Sequence, residues 1–277
     1  MINDLPQYLV IGGTGKTGSR VATLLRDRSL PVRAVSRSTT PHFDWNDPSS
    51  WPAVLEGTER AYITYSPDLA VPGAVESVGA FVDQAVELGV RRIVLLSGRG
   101  EEEAQRAERV IQRAEVEWTV VRASWFAQNF SEGPFREMVV DGSFHLPAGE
   151  VGEPFVDADD IADVVVAALT ESGHSGEVYE VTGPRLLTFA EAARHMSEAL
   201  GRPVTYQQIP AKAFVAGMEE AGLPDGIVWL MDYLFTNVLD GRNAHISDGV
   251  ERALGRPPRD FRTYALETAS AGAWETH

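Results

Sequence analysis

The chain has 277 residues and a formal net charge of −16, so a nucleic-acid duplex, which is bound by basic surfaces, is not expected as a partner. Cysteine is absent, which excludes a disulfide framework and a thiolate nucleophile, and the six histidines form no H-x-x-x-H pair that would suggest a metal site. No apolar run approaches about 18 residues, and the first strand begins too early for a signal peptide. We therefore expect a cytoplasmic protein with no membrane span, built as one large domain or as one domain plus a cap.

The first motif is a glycine-rich turn between a predicted strand and a predicted helix. The apolar run Tyr8–Ile11 is followed by three glycines spaced G-x-x-G-x-x-G, and residues 19–25 have helical spacing. Such glycines let the backbone approach a pyrophosphate, whose charge is favoured by the N–H groups at the helix start. The predicted nucleotide contacts are Gly12, Thr14, Gly15, Lys16, Thr17 and Gly18.

A competing interpretation is a P-loop, because Gly15-Lys16-Thr17 resembles the end of G-x-x-x-x-G-K-[ST]. That motif needs a glycine five residues before Gly15, and this position is Val10, inside the strand. The cradle for a triphosphate is therefore missing.

Strands and helices alternate through the first half of the chain. Predicted strands cover residues 31–37, 43–45, 60–65, 92–97 and 118–122, and predicted helices cover 48–55, 73–88 and 101–114. Near-continuous apolar strands alternating with amphipathic helices predict an α/β fold, a Rossmann doubly wound parallel sheet with helices on both faces.

The alternation stops after Ala123. Residues 124–152 are aromatic and loop-like, and they are followed by a helix to residue 169, a strand at 177–182, a helix at 188–200, a short strand at 204–209 and a helical stretch at 211–239. We predict a dinucleotide-binding Rossmann domain at 1–123 plus 151–184, and a small, mostly helical substrate-binding cap at 124–150 plus 185–277. A cap over the carboxyl ends of the strands would close a pocket there.

The end of the second strand indicates which dinucleotide is bound. An NAD site usually carries an acidic residue there, on the ribose 2′-hydroxyl, whereas this chain has Ser36, Arg37 and Ser38. An arginine can grip a 2′-phosphate that a carboxylate would repel, and Lys16 adds a second cation. We therefore predict NADP(H) as the cofactor.

The Tyr–Lys pair that many short-chain dehydrogenases use to protonate a carbonyl oxygen is missing. None of the seven tyrosines has a lysine four residues later, and the two lysines are Lys16 and Lys212. A ketone needs a proton donor for its developing alkoxide, but an iminium carbon ends neutral on accepting hydride, and a quinone delocalises the new charge. We therefore expect such self-activated electrophiles to be favoured over simple ketones.

Several motifs resemble the NmrA-like branch of the atypical short-chain dehydrogenases over roughly residues 9–209. They are the glycine loop at 12–18, Leu96-Ser97-Gly98, Glu108, the stretch 121–130 (VRASWFAQNF), Phe155-Val156-Asp157 before Asp160-Ile161-Ala162, and Val181-Thr182-Gly183-Pro184. The G-K-T-G loop with R-x-S-W-F-x-Q-N-F looks like the ergot-alkaloid (agroclavine and festuclavine) reductase subgroup, with quinone reductases as neighbours. This resemblance implies an NADPH-dependent reductase of iminium or related conjugated compounds. One departure is Ala104, where many relatives have a lysine.

The remaining site residues are predicted from strand ends. Ser97 occupies the place of the superfamily's carbonyl-binding serine, and the alternative is a strand-end hydroxyl satisfied by the backbone. Tyr65 could donate to the substrate or simply pack on the cofactor. Thr64, Tyr65, Ser97 and Gly98 are predicted to contact the cofactor. The predicted substrate contacts, for which core packing is the alternative, are Trp125, Phe126, Gln128, Asn129, Trp229 and Tyr233.

Two acidic clusters are interpreted as having no catalytic or metal-binding role. Glu101-Glu102-Glu103 opens a helix, where acids favour the helix dipole, and Asp157, Asp159 and Asp160 precede another helix. We expect both clusters to be capping or solvated charge, without a metal.

The predicted partner is a small-molecule substrate, for a monomer or homodimer. The alternative function is a non-catalytic NADP(H)-binding sensor or regulator of the NmrA type, which would need an exposed partner surface. An aromatic pocket over the nicotinamide would instead favour an enzyme.

Overall fold

The structure is a computed structural model, and it describes residues 7–275. Six strands form one sheet in the order β2-β1-β3-β4-β5-β7, and two form a second sheet, β6-β8. The strands are β1 Gln7–Ile11, β2 Val32–Val35, β3 Thr58–Ile63, β4 Arg92–Gly98, β5 Glu117–Ala123, β6 Ser143–Leu146, β7 Glu177–Val181 and β8 Thr205–Gln208. The helices are α1 Lys16–Asp27, α2 Trp51–Leu55, α3 Ala74–Glu87, α4 Glu102–Arg113, α5 Arg136–Val140, α6 Ala158–Thr170, α7 Phe189–Leu200, α8 Ala211–Glu220, α9 Asp225–Tyr233, α10 Gly249–Leu254 and α11 Phe261–Ser270.

The large sheet belongs to the first of two compact units. This unit contains the described residues up to Ala123, together with Ala158–Glu180 and Gly249–Arg256. The pairs β1–β2, β1–β3, β3–β4 and β4–β5 are parallel, and an aliphatic core from residues such as Leu9, Ile63 and Leu95 packs against the sheet. The predicted Rossmann-type α/β fold is confirmed. Because β1 lies between β2 and β3, the strand order reverses at β1, which is where such sheets bind ligands.

The predicted strand at residues 43–45 is wrong, because these residues lie in a loop. The side chains of Phe43 and Trp45 are instead buried in an aromatic cluster, in which Phe43 packs edge-on against Trp45 and Phe81 with ring centroids 4.9 and 5.6 Å apart. The Trp45 indole N–H donates to the Thr64 carbonyl over 3.1 Å. Burial of these rings therefore explains the apolar pattern that had suggested a strand.

The second unit contains Ser124–Asp157, Val181–Asp248 and the described residues from Pro257 onward. Its core is rich in phenylalanine, and Phe130 alone contacts five other aromatic rings. The stretch predicted as loop-like contains a 3₁₀ turn at Ala127–Phe130 as well as α5 and β6, and β6 pairs in parallel with β8. Aromatic burial thus orders a stretch that has no clear helix or strand period.

The start of α7 has the capping box expected from its sequence. Thr188 accepts from the backbone N–H of Glu191 over 3.1 Å, and the Glu191 carboxylate accepts from the backbone N–H of Thr188 over 2.8 Å. The helical stretch predicted at 211–239 is divided into α8, α9 and a π-helical turn at Leu234–Val238.

The compact units differ from the predicted domain division in three places. Residues 151–157 and 181–184 cluster with the second unit rather than with the sheet, and Gly249–Arg256 clusters with the sheet. Gly249 lies against the backbone of Glu180, where a Cβ would overlap the Glu180 carbonyl oxygen. The boundary between a dinucleotide-binding domain and a substrate-binding cap remains our proposal.

Candidate active site

The glycine turn at the end of β1 is so tightly packed that side chains are excluded. Gly12 has φ +71°, and a Cβ there would overlap the Thr64 hydroxyl, while a Cβ on Gly18 would overlap the Gly12 carbonyl. A Cβ on Gly13 would lie 2.7 Å from the Ala34 side chain. The Gly15 N–H closes the turn by donating to the Gly12 carbonyl over 2.8 Å. The backbone of the turn is thereby held close to Ala34 and Thr64.

The start of α1 suits an anion. Gly15 is the N-cap and supplies no side-chain cap, and the first turn contains no acidic residue. The positive end of the helix dipole therefore favours a phosphate. Thr17 faces the protein interior instead, where its hydroxyl accepts a hydrogen bond from the buried Tyr62 hydroxyl over 3.0 Å. These features fit a dinucleotide pyrophosphate.

The end of β2 presents the residues predicted to read the 2′-phosphate. Arg37 and Ser38 are exposed, and the Ser36 and Ser38 hydroxyls lie 3.1 Å apart. The Gly13 N–H donates to the Val35 carbonyl over 2.9 Å, which joins the glycine turn to this strand end. Arg37 therefore lies two residues after a strand end that is tied to the glycine turn.

The end of β3 is joined to β1 and to the buried Trp45. The Thr64 hydroxyl donates to the Ile11 carbonyl over 3.1 Å, so it braces β1. Tyr65 is half-buried, with its ring 4.9 Å from that of Trp45. Both predicted roles of Tyr65, donating to the substrate or packing on the cofactor, stay predictions.

The end of β4 carries a buried network of charged groups. The Ser97 hydroxyl donates to Glu108 Oε1 over 2.6 Å, and Ser97 and Glu108 are both buried. Arg122 on β5 donates to both oxygens of Glu108, over 2.9 and 2.5 Å, and to Glu180 over 2.9 Å. These carboxylates raise the pKa of Arg122 above its ordinary value. Because the one hydroxyl proton of Ser97 is directed at Glu108, Ser97 can only accept a hydrogen bond from a ligand in this arrangement.

Sequence reasoning missed a second acidic group at this strand end. Glu101, expected to be solvated, is buried with its carboxyl group against Gly98, where a Cβ would overlap it. Glu101 is hydrogen-bonded to Asp68, and burial together with the nearby charge of Asp68 raises the pKa of Glu101 well above its ordinary value. Burial also raises the pKa of Asp68. The available signal was the glycine three residues before Glu101, which leaves room for the returning carboxyl group.

The predicted substrate residues all lie in the second unit. Trp125 is half-buried among aromatic rings, with Phe235 at 4.9 Å, and Gln128 is buried and donates to Asp157 over 2.7 Å. Trp229 is 44% exposed and stacks on Tyr233, with ring centroids 5.4 Å apart. Phe126 is the N-cap of the 3₁₀ turn and Asn129 lies within it, where the Asn129 N–H donates to the Phe126 carbonyl over 3.0 Å. Of this set, Trp229 offers the most exposed aromatic surface.

The acidic residues around the start of α6 are paired rather than solvated, so that expectation is wrong. Asp160 is fully buried and accepts from Arg256 over 2.7 Å, and Asp159 accepts from Arg20 over 2.6 Å. Arg256 comes from the late segment that clusters with the sheet, a partner that no local pattern could indicate. Among the residues that the structure describes, no group of His, Cys, Asp or Glu is arranged to hold a metal ion.

A parallel sheet that reverses at β1, with a glycine turn leading into an uncapped helix start, defines the class of Rossmann-type dinucleotide-binding folds. Residues 7–259 match the NmrA-like family, and the chain belongs to that family. The resemblance read from the sequence motifs is therefore confirmed.

Several known proteins resemble the chain along nearly its whole length. An NAD(P)H azoreductase of Xenophilus azovorans is 32% identical over 95% of this chain and 98% of its own. Festuclavine synthase I of Penicillium roqueforti is 30% identical over 93% of this chain and 96% of its own. In fold, the triphenylmethane reductase of Citrobacter sp., solved in complex with NADP(H), superposes with a TM-score of 0.79 at 20% identity, covering 96% of this chain and all of the other.

No helix within residues 7–275 combines the length and the apolar character needed to cross a membrane.

Proposed function

We propose that this protein is an NADPH-dependent oxidoreductase that transfers a hydride to a small organic electrophile, namely an iminium, a quinone or a conjugated carbonyl compound. The observation that carries the proposal is the glycine turn at β1, where side chains are excluded and an uncapped helix start points to an anion. The names of the relatives agree with it, since one is an NAD(P)H azoreductase and another a festuclavine synthase.

The cofactor is NADP(H), and the chain's own residues divide the work of holding it. The backbone of the glycine turn and the first N–H groups of α1 bind the pyrophosphate. Arg37 binds the 2′-phosphate, with the hydroxyls of Ser36 and Ser38 as further donors. Thr64, Tyr65, Ser97 and Gly98 lie at the ends of β3 and β4, where they bound the nicotinamide end of the site. When bound, NADPH supplies the hydride.

The substrate class follows from the groups at these strand ends. No tyrosine has a lysine four residues later, and the Ser97 proton is directed at Glu108. A simple ketone would therefore lack the usual donor for its developing alkoxide. Electrophiles that are already cationic or that delocalise the incoming charge avoid this requirement. The half-exposed and exposed aromatic rings of the second unit, Trp125 and Trp229, are suited to flat conjugated molecules.

The first experiment follows NADPH oxidation optically with a panel of iminium, quinone, enone and azo compounds. A simple ketone of similar size serves as the control for each compound. Turnover with one of the conjugated classes, and none with the ketone, is the expected result. Tight NADPH binding without oxidation by any compound would contradict the proposal and favour a non-catalytic dinucleotide sensor.

The cofactor assignment has a separate test in Arg37→Ala. Loss of one charge-assisted contact of about 1.5–3 kcal/mol should weaken NADPH binding about ten- to a hundredfold and leave NADH binding nearly unchanged. Binding is measured by fluorescence titration with both dinucleotides. Arg28→Ala is the matched control, because Arg28 is an exposed arginine at the far end of α1. Equal losses for the two dinucleotides would remove Arg37 from the phosphate.

A further inference from the structure

The loop that follows β2 carries the residues proposed to bind the 2′-phosphate, and it is closed by hydrogen bonds of its own. It runs from Ser36 to Phe43 and contains no helix or strand. The Phe43 N–H donates to the Ser36 carbonyl over 3.0 Å, and the Phe43 ring is buried in the aromatic cluster. The two ends of the loop are therefore joined, and one of them is anchored in the core.

Thr39 holds the first part of this loop together from within. Its hydroxyl accepts from the backbone N–H of Ser36 over 2.8 Å. The same hydroxyl lies 3.0 Å from the Ser36 carbonyl and 2.9 Å from the Pro41 carbonyl, and its one proton can be donated to either oxygen. The Thr39 N–H also donates to the Ser36 carbonyl, over 3.3 Å. Thr39 is therefore bonded to both backbone polar groups of Ser36, and residues 36–39 form a closed turn.

Arg37 and Ser38 are the two residues enclosed by this turn, and both are exposed. The Ser36 hydroxyl accepts from the Ser38 N–H over 3.3 Å and lies 3.1 Å from the Ser38 hydroxyl. Thr39 differs from this exposed pair, because it is half-buried and its hydroxyl is engaged with the backbone of the loop. The side chains offered to a ligand therefore stand on a backbone that Thr39 fixes.

The turn lies where folds of this class distinguish the two dinucleotides. The end of the second strand, beside the glycine turn, usually carries the residue that contacts the 2′ position of the ribose. The Val35 carbonyl, directly before the loop, accepts from the Gly13 N–H over 2.9 Å. The loop therefore begins at the glycine turn, and a dinucleotide held there extends its adenosine end toward residues 36–39.

We propose that Thr39 is a positioning residue for the 2′-phosphate and thereby helps to set the preference for NADPH over NADH. This rests on the proposed contact between Arg37 and the 2′-phosphate. Thr39 does not touch the phosphate; its hydrogen bonds hold the turn in the form that presents Arg37 and Ser38 together. Ordering an exposed arginine and its loop costs entropy on binding, and a backbone that is already fixed removes part of this cost. The benefit reaches only a ligand that carries a 2′-phosphate.

The test measures the dissociation constants of NADPH and NADH by fluorescence titration for Thr39→Val, which keeps the shape of the side chain and removes its hydroxyl. One lost hydrogen bond corresponds to a factor of about two to ten, and the hydroxyl makes two, so NADPH should bind about five- to twentyfold more weakly. NADH binding should change less than about twofold, because NADH has no 2′-phosphate. Equal weakening for the two dinucleotides, or none for either, would overturn the proposal.

Two further variants serve as controls for the hydroxyl. Thr39→Ser keeps it, and NADPH binding should return to within about twofold of the wild type. Thr40→Val makes the same chemical change at the exposed threonine next in the chain, and both dissociation constants should stay as in the wild type. A loss of NADPH preference in Thr40→Val equal to that in Thr39→Val would contradict the specific role of Thr39.

A double-variant cycle tests whether Thr39 acts through Arg37. In the Arg37→Ala background, Thr39→Val should weaken NADPH binding by less than about threefold, because the main contact that it positions is already gone. Losses that multiply fully in the double variant would mean that the two residues act independently, and the positioning role would be wrong.

These titrations also separate a failure of this proposal from a failure of the phosphate contact. If Arg37→Ala weakens NADPH and NADH equally, the contact itself is wrong and Thr39 has nothing to position. If Arg37→Ala weakens NADPH alone while Thr39→Val leaves the preference unchanged, the contact stands and only the role of Thr39 is wrong. No turnover is needed, so the result is independent of which substrate the protein reduces. Retained NADH binding shows that each variant is folded.

Discussion

The end of β1 and the end of β4 lie on one edge of the same sheet, but they are built differently. At β1 the chain turns through glycines whose missing side chains let the backbone pack against Thr64 and Ala34. At β4 the space is filled by carboxyl and guanidinium groups centred on Glu108, which is 2% exposed. The first arrangement depends on the absence of atoms, and the second depends on the pairing of buried charges. The first therefore suits an approaching phosphate, whereas the second can position or hold a proton.

The charged network at β4 should be the more costly of the two to break. Glu108→Ala leaves the Arg122 guanidinium partly buried with only Glu180, and removing one partner of such a pair costs about 3–5 kcal/mol of unfolding free energy. Urea unfolding measures the loss. Glu103→Ala is the control on the same helix, since its exposed pair with Arg106 is worth less than about 1 kcal/mol. Similar losses for both variants would show that the buried network is not specially stabilising.

The glycine turn at β1 should respond to a single methyl group. Gly18→Ala places a Cβ against the Gly12 carbonyl, so we expect a loss of about 1–3 kcal/mol together with weaker dinucleotide binding. Gly217→Ala is the matched control, because Gly217 is an exposed helical glycine with open space around it and should gain up to about 1 kcal/mol. Thermal unfolding should therefore show a loss of stability for Gly18→Ala and a gain for Gly217→Ala. NADPH titration of the two variants measures the effect on dinucleotide binding. A gain from both changes would refute the close packing of this turn.

Ser97→Ala should have the smallest effect of these changes. It distinguishes a hydroxyl that only orients Glu108 from one that contacts the substrate. In Ser97→Ala, Glu108 keeps both hydrogen bonds from Arg122, so the cost should be about 1 kcal/mol. The rate with a quinone should fall by less than about tenfold if the hydroxyl only orients Glu108. Steady-state kinetics and urea unfolding are compared on the same preparation. A fall of more than about a hundredfold in kcat at this small stability cost would instead assign Ser97 a direct contact with the substrate.

The parts of the fold that could be predicted depend on local patterns. The β1 strand, the glycine turn and α1 follow from an apolar run, three spaced glycines and helical spacing, all within about 20 residues. The capping box of α7 is likewise a local device, and both of its hydrogen bonds are present. The strand predicted at residues 43–45 is wrong because two aromatic residues on either side of Asp44 satisfy a strand pattern and a buried loop equally well.

The parts that could not be predicted depend on partners far away in sequence. Asp160 meets Arg256, 96 residues later, and Glu101 meets Asp68, 33 positions earlier. The sequence places Glu101 and Asp160 in charged clusters at helix starts, where acidic side chains are usually exposed. Whether such a residue is solvated, paired or kept protonated depends on how many charges the fold gathers around it.

By itself the sequence determined the family, the parallel α/β architecture and the glycine turn, because each is written in residue types at short, fixed spacings. It also determined that the usual Tyr–Lys donor is absent, since that requires only an inspection of seven tyrosines and two lysines. Only the tertiary structure decided that Ser97 donates to Glu108 and that Glu101 is buried beside Asp68. The reason is physical: a carboxyl group's protonation depends on its burial and neighbouring charges, and folding brings those neighbours from separate strands.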